Sequence, residues 1–245
     1  MLDQRLQEAL KNHPLRKKLI NHPFFDRIRT APVSRGQAAT FLGQWWHPLH
    51  YFPVFLSRLI SVSPRVELQT AISKILYQEL GEGDDRRAHE MLYITTMTPL
   101  GFSRAEVCGT APLPATARLV AAYAESSANL MAGLGFMYGT EVADLAMVSG
   151  IGTAVRRATG AKSLPWVDIH VEQEPEHVAR ANDSLSLDLS EAQEAELLFH
   201  AESMWGHWIA FFDELERSAF ASQALADASR ESTRQPEEAG GAARI

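Results

Sequence analysis

The sequence of 245 residues contains a single cysteine, Cys108. One thiol can form no intrachain disulfide and cannot build a cysteine-rich metal site. Lysine and arginine form no cluster, and the net charge is −7, so we do not expect nucleic acid or an anionic membrane as a partner. A metal ion bound by this chain would need nitrogen and oxygen ligands, which the nine histidines and 30 acidic residues can supply.

The sequence also lacks the apolar core of a signal peptide, since residues 1–12 alternate charged and apolar side chains as an amphipathic helix does. A membrane span needs roughly 20 apolar residues. Residues 36–57 carry no formal charge but contain His47, Pro48, His50 and Pro53. They indicate a buried helix of a soluble protein with a proline kink or break. We therefore expect a cytoplasmic protein with no membrane partner.

The alternation of Val, Ile and Thr that would predict strands is almost absent. Helical periodicity and N-terminal capping sequences recur instead, and they predict an all-α protein. A chain of this length favours one domain, which we place at residues 1–220. Residues 221–245 have few large aliphatic side chains and are expected to form a disordered tail. The predicted helices cover residues 2–11, 23–30, 34–61, 64–98, 103–109, 114–127, 129–159, 165–181 and 190–220.

Within the predicted helix 64–98, an acidic segment carries the first candidate ligands. Glu82 and His89 are seven positions apart, which is two helical turns and places both side chains on one face. Long side chains on one face can converge on a single site. The alternative is an acidic loop between two helices, which Gly81 and Gly83 favour.

The second candidate is an acid in an apolar helix. Between residues 126 and 155 the only charged side chains are Glu141 and Asp144. A buried carboxylate is normally paired or bound to metal, because burial without a partner costs several kcal/mol. Glu141 is therefore either a metal ligand or a structural acid that reaches a polar edge or an arginine.

A third segment places His170, Glu174 and His177 at positions i, i+4 and i+7 of a predicted helix. Two imidazoles and a carboxylate suit iron, manganese or zinc. Pro175 disfavours helix at Glu174 and indicates a segment that orders only when metal is present. The alternative is an exposed, charged helix with incidental histidines.

Together these segments supply three carboxylates and three imidazoles from three helices. Such a set can hold two metal ions and leave positions open for dioxygen and substrate. Two ferrous ions can supply electrons for the reduction of O2, whereas zinc cannot. The proposed ligands are Glu82, His89, Glu141, His170, Glu174 and His177.

On these residues the sequence resembles the heme-oxygenase-like diiron oxidases, over residues 20–215. The family pattern is Glu-x6-His, a lone Glu, and His-x3-Asp/Glu-x2-His on three core helices. The resemblance implies an all-α, heme-oxygenase-like helical bundle of about seven core helices. It also implies two Fe(II) ions, O2 as co-substrate and an external reductant. Members act on fatty acids, amino acids or amines, and one branch that modifies its own side chains carries Tyr where this chain has Thr140.

The function implied by this resemblance is an O2-using oxidoreductase of specialised-metabolite biosynthesis. Its expected substrate is a small amino-acid-like or carboxylic acid, and the reaction is N-oxygenation, desaturation or oxidative C–C cleavage. We expect Trp46, His47, His50 and Tyr138 to contact the substrate, although core packing is the alternative for the aromatic residues. A homodimer is compatible with the sequence.

Other functions remain open on the same predicted fold. A heme-binding oxygenase would use His22 as a heme ligand beside Gly135 and Gly139, but it leaves Glu82, Glu141, His170 and His177 unexplained. A thiaminase would need Cys108 as nucleophile, in a poorly placed short helix. A cofactorless oxidase similar to PQQ synthase and a non-enzymatic helical binding module are the remaining alternatives.

Overall fold

The computed structural model describes the backbone of residues 4–173 and 189–232 and the side chains of residues 5–173 and 189–220. All regular secondary structure within these ranges is helical, which confirms the predicted all-α class. No helix in the described ranges is long and apolar enough to span a bilayer. The helices are α1 (Gln4–Asn12), α2 (Pro14–Ile20), α3 (Pro23–Thr30), α4 (Arg35–Val62), α5 (Val66–Glu79), α6 (His89–Met97), α7 (Arg104–Cys108), α8 (Pro114–Ser126), α9 (Leu130–Glu141), α10 (Asp144–Thr159), α11 (165–173) and α12 (Glu191–Ser232).

Helix α4 begins with the capping box that the sequence predicts. Ser34 N donates to Gln37 Oε1 at 2.8 Å, and Gln37 N donates to Ser34 Oγ at 3.2 Å. The helix then continues through Pro48 and Pro53, so it is not broken there. Its packing against α5, α7 and α8 offsets the hydrogen bonds that the prolines remove.

The prediction of one continuous helix over residues 64–98 is wrong, because the structure has two α-helices there, α5 and α6. Helix α5 ends at Glu79, and the three residues Gly81, Glu82 and Gly83 all have positive φ, at 82°, 57° and 92°. A Cβ on Gly81 would collide with the backbone of Asp84, so this tight turn requires glycine. The chain re-enters α-helix only at His89. Glu82 and His89 therefore do not share a helical face.

The predicted helix 129–159 is likewise two helices. Glu141 is the last residue of α9 and Asp144 is the first residue of α10, with Val142 and Ala143 between them. Helix α10 ends as predicted at Gly160, which has a φ of 75°. The break places the two acids of this apolar region at neighbouring helix ends.

The core of the bundle is the packing of α9 against α12. Every residue from Met131 to Glu141 is buried, and α9 has more extensive contact with α12 than with any other described helix. A Cβ on Gly135 would lie 2.5 Å from Leu197 O, so glycine permits this close approach. Helix α12 continues to Ser232, past the predicted domain end at residue 220, and residues 233–245 lie outside the described ranges.

Candidate metal centre

The last residue of α5 and the first residue of α6 form a buried contact. Glu79 Oε2 lies 2.9 Å from His89 Nδ1, and both side chains are almost fully buried. His89 Nε2 lies 3.0 Å from Gln173 Oε1 on α11. Burial disfavours the charged imidazole, but Glu79 and Gln173 outweigh that penalty, and the pKa of His89 is raised. Glu79, and not Glu82, is the acid beside His89.

Glu82 lies outside this contact because the left-handed turn directs it outward. Its side chain is exposed, and Glu82 Oε2 is 3.5 Å from Arg87 Nη2. Glu79 could have been found from the sequence by reading Gly81 and Gly83 as the end of a helix. Glu79, which is three residues before Glu82, then lies in the last turn of that helix.

Helix α11 contributes His170 beside His89. The two imidazole centroids are 4.6 Å apart. His170 Nδ1 lies 2.6 Å from the Trp166 carbonyl oxygen, and a carbonyl only accepts, so Nδ1 carries the proton. Nε2 is therefore the ring nitrogen that can donate its lone pair to a metal. The backbone of α11 thus fixes the tautomer that ligation requires.

Glu141 and Asp144 line the same small cavity as Glu79 and His170. The volume of this cavity is about 40 Å³. Glu141 is buried and Asp144 is partly buried. Burial, together with the nearby charge of Glu79, raises the pKa of Asp144 to about 7. Asp144 is not among the sequence-predicted ligands, although it is the only charged neighbour of Glu141 in the apolar stretch.

The donor set fits iron. It consists of carboxylate oxygens and imidazole nitrogens, and the carboxylates of Glu79 and Asp144 repel each other in a buried site. A cation would remove that repulsion. Among the described side chains of residues 5–173 and 189–220, however, no three His, Cys, Asp or Glu residues are already close enough to hold a metal ion. Glu174 and His177 lie outside the described residues, so their ligation stays a prediction.

Aromatic side chains form the rest of the cavity wall. Trp208 Nε1 donates to Tyr123 Oη at 3.1 Å, and Tyr123 Oη is 2.5 Å from Thr140 Oγ1. Thr140 Oγ1 in turn donates to the Phe136 carbonyl at 2.8 Å, so Tyr123 is the donor toward Thr140. Burial raises the pKa of Tyr123, which remains a neutral phenol. Helix α4 adds four further lining residues, Trp45, Pro48, Leu49 and Phe52.

The four residues predicted to contact substrate do not line this cavity. His47 Nε2 lies 2.9 Å from the Thr110 carbonyl oxygen. His50 stacks on Trp46, with ring centroids 4.5 Å apart, and its Nδ1 is 2.8 Å from Glu90 Oε2. Tyr138 lines a different cavity. The cavity-facing stripe of α4 is instead the set Trp45, Leu49 and Phe52, spaced as i, i+4 and i+7.

The residues that a heme site or a thiaminase would use are engaged elsewhere. His22 Nδ1 accepts from Phe24 N at 3.2 Å, and His22 Nε2 is 3.2 Å from Asp213 Oδ1. Gly135 and Gly139 lie against α12 and do not border open space. The Cys108 thiol donates to its own helix at the Arg104 carbonyl. None of these groups is among the described residues that line the cavity.

A family model described as an iron-containing redox enzyme matches residues 39–208. That range covers about 70% of the chain and contains Glu79 and all six sequence-predicted ligands. No curated protein matches the chain.

Similar solved structures share the fold. A CADD-like protein of unknown function from Nostoc punctiforme has a TM-score of 0.74 at 18% identity, covering 88% of this chain and 96% of that chain. A domain of unknown function with a heme oxygenase-like fold from Shewanella denitrificans has a TM-score of 0.70 at 15% identity, covering 99% and 100%. A TenA homolog from Pseudomonas syringae pv. tomato has a TM-score of 0.66 at 13% identity, covering 86% and 91%. The predicted heme-oxygenase-like helical fold is confirmed.

Proposed function

Because this chain belongs to the iron-containing redox enzyme family, we propose that it is an O2-using oxidoreductase with a non-heme di-iron centre. The observation that carries the proposal is the convergence of Glu79, Glu141, Asp144 and His170 on one buried cavity, with His89 in contact with Glu79. A buried group of carboxylates and imidazoles with no nearby lysine or arginine among its described lining residues suits cations.

In this proposal Glu79, His89, Glu141 and His170 bind the two ions, and Glu174 and His177 complete the set. Asp144 lines the same cavity as Glu79 and is proposed as an additional carboxylate ligand. When bound, two ferrous ions supply electrons for the reduction of dioxygen, and an external reductant restores them. The side chains of Glu79, His89, Glu141 and His170 each come from a helix or a helix end, which gives this part of the centre a stiff frame.

The residues behind the ligands set their orientation and protonation. The Trp166 carbonyl holds the Nδ1 proton of His170, and Gln173 holds the Nε2 side of His89. Such partners fix the tautomer and the ring plane of a ligating histidine. His89 would bind iron through Nδ1, which faces Glu79, and only when Nδ1 carries no proton.

The aromatic wall of Trp45, Phe52, Tyr123 and Trp208 limits access of water and substrate. A cavity of about 40 Å³ has room for only a few atoms, so only the reacting group of a substrate fits between this wall and the ligands. We propose a small amino-acid-like or carboxylic substrate, with N-oxygenation, desaturation or C–C cleavage as the reaction. The engagement of both ring nitrogens of His22 counts against a heme oxygenase.

The test is an anaerobic titration of the metal-free protein with Fe(II), followed by mixing with O2 in a stopped-flow spectrometer. We expect about two iron ions per chain, a transient visible absorbance after mixing, and O2 consumption that requires iron. A parallel titration with hemin serves as the control and is expected to give no saturable Soret shift. Stoichiometric heme binding, or the absence of Fe(II) binding, would contradict the proposal.

A further inference from the structure

A second cavity lies beside the turn that connects α9 and α10. Its volume is about 510 Å³, and it is bordered by α1, α2, the turn and the first half of α10. Glu141 and Asp144 line the metal-centre cavity, whereas Val142 and Ala143 between them line this second cavity. The two cavities share no described lining residue. The second cavity is therefore a separate site, large enough for a small molecule.

Arg16 is one of the charged residues that line the second cavity. Arg16 Nε donates to the Val142 carbonyl at 2.7 Å, and Arg16 Nη1 donates to the Lys11 carbonyl at 2.9 Å. These bonds hold the side chain across the cavity and leave Nη2 without a partner among the described residues.

Arg16 differs in its environment from the paired arginines of this protein. It is half-buried, and no carboxylate within residues 5–173 and 189–220 forms an ion pair with it. Burial lowers the pKa of Arg16, with only Tyr138 opposing that shift. A partly desolvated cation without an anion is costly, and an anionic ligand would offset that cost.

The surrounding residues define the ligand further. Lys11 adds a second cation, while Glu8 at the same cavity accepts a hydrogen bond from Asn12 Nδ2 at 2.7 Å. The net charge of these three groups, Lys11, Arg16 and Glu8, is +1, which matches a monoanion better than a phosphate. The rest of the lining is mostly apolar, with side chains of Ile20, Val142, Ala143, Leu145 and Ala146.

We propose that this second cavity binds a small monocarboxylate with an apolar body. The carboxylate accepts hydrogen bonds from Arg16 Nη2 and from the Lys11 ammonium, and the apolar body lies on the α10 residues Leu145 and Ala146. Guanidinium–carboxylate hydrogen bonds are charge-assisted and favoured where water is partly excluded. The inference does not depend on the metal centre, since none of these residues is a proposed ligand.

The experiment is calorimetric titration of the metal-free 245-residue protein with sodium hexanoate, because without iron the carboxylate cannot bind at a metal ion. We expect saturable binding of hexanoate and at least tenfold weaker binding of acetate and of 1-hexanol. Acetate lacks the apolar body, and 1-hexanol lacks the charge. Equal binding of hexanoate and acetate, or of hexanoate and 1-hexanol, would overturn the proposal.

Variants locate the binding. Arg16→Gln and Lys11→Glu should each weaken hexanoate binding at least tenfold, whereas Arg157→Gln on the exposed surface of α10 should leave it unchanged. Loss of the Arg16 hydrogen bonds could impair folding, which circular dichroism would show. In that case Lys11→Glu tests the proposal, because Lys11 is exposed and its substitution removes no Arg16 side chain. Wild-type affinity in Lys11→Glu, or in a folded Arg16→Gln protein, would contradict the assignment.

Discussion

Glu79 Oε2 and His89 Nδ1 lie 2.9 Å apart at the junction of α5 and α6. The turn between them contains three successive residues with positive φ, and it returns the chain so that the end of one helix meets the start of the next. This geometry buries an acid and an imidazole together at the cavity that Glu141, Asp144 and His170 also approach. The proposed function depends on this arrangement.

Gln173 is expected to be a positioning residue for His89. Its Oε1 lies 3.0 Å from His89 Nε2, and removal of such a partner from a ligating histidine typically lowers metal affinity about 10–100-fold. Gln173→Leu should show that loss in an anaerobic competition between the protein and a chelator for Fe(II). Gln173→Glu retains the acceptor and should retain most of the affinity.

The matched control for Gln173→Leu is Glu172→Leu, the same new side chain at an exposed neighbouring position. Its Fe(II) affinity should equal that of the wild type. If both leucine variants lose affinity equally, the effect is a general disturbance of α11 and Gln173 has no specific role.

The stability that Asp144 and His89 contribute to the metal-free protein should fall as pH rises. The folded-state pKa of Asp144 is raised to about 7, and that of His89 is also raised. Groups with a raised folded-state pKa stabilise the fold below their unfolded pKa, and that stability is lost as pH increases through the folded pKa. Burial lowers the pKa of His22, His47 and His207, so these three histidines contribute with the opposite sign. The contribution of Asp144 and His89 to the melting temperature of the metal-free protein should therefore fall between pH 5 and pH 8, and it is measured as the difference between the wild type and Asp144→Asn.

Fe(II) should reverse this trend, because deprotonated ligands bind the metal and the protons are released. The difference in melting temperature between loaded and metal-free protein, measured anaerobically, should grow with pH. Asp144→Asn removes one of the titrating groups and should flatten the metal-free profile. The same pH dependence of the melting temperature in metal-free Asp144→Asn and metal-free wild type would refute this reasoning.

Two glycine-to-alanine substitutions should change the free energy of unfolding in opposite directions. At Gly135 on α9 the new Cβ would lie 2.5 Å from Leu197 O, whereas at Gly206 on α12 it would meet nothing within 4 Å. Alanine in an exposed helix stabilises by about 0.5–1 kcal/mol, while overpacking costs about 1–3 kcal/mol. Urea unfolding should show Gly206→Ala more stable and Gly135→Ala less stable than the wild type.

Stabilisation by both alanines would mean that α9 and α12 are not packed as closely as the structure indicates. Equal destabilisation by both would instead show that α12 needs Gly206 for a reason other than space. Each result is read from the same unfolding curves.

The helices were predictable because apolar periodicity and capping sequences are local signals. The capping box at Ser34 and the glycine stop at Gly160 were both confirmed. The buried position of Glu79 and the exposed position of Glu82 were not predictable from helical spacing. Both positions depend on a turn in which Glu82 adopts positive φ. A glutamate rarely adopts that conformation, so helical spacing could not show that Glu79, and not Glu82, lies beside His89.

The side of α4 that faces the cavity also could not be predicted from the local sequence. The polar atoms of Trp46, His47 and His50 suggested substrate contacts, but the rotation of a helix about its axis is set by its neighbours. Packing against α12 turns Trp45 inward, with its ring centroid 5.2 Å from that of Trp208. His47 instead faces the Thr110 carbonyl. The prediction for Glu174 and His177 depends on the sequence alone.

The most direct test of the central claim is the iron content of two variants, Glu79→Ala and Glu82→Ala, prepared metal-free and titrated with Fe(II) under anaerobic conditions. Glu79 is buried beside His89, and Glu82 is exposed beside Arg87. We predict that Glu82→Ala binds as much iron per chain as the wild type, about two ions, and that Glu79→Ala loses at least one. Full iron content in Glu79→Ala, with loss in Glu82→Ala, would contradict the account.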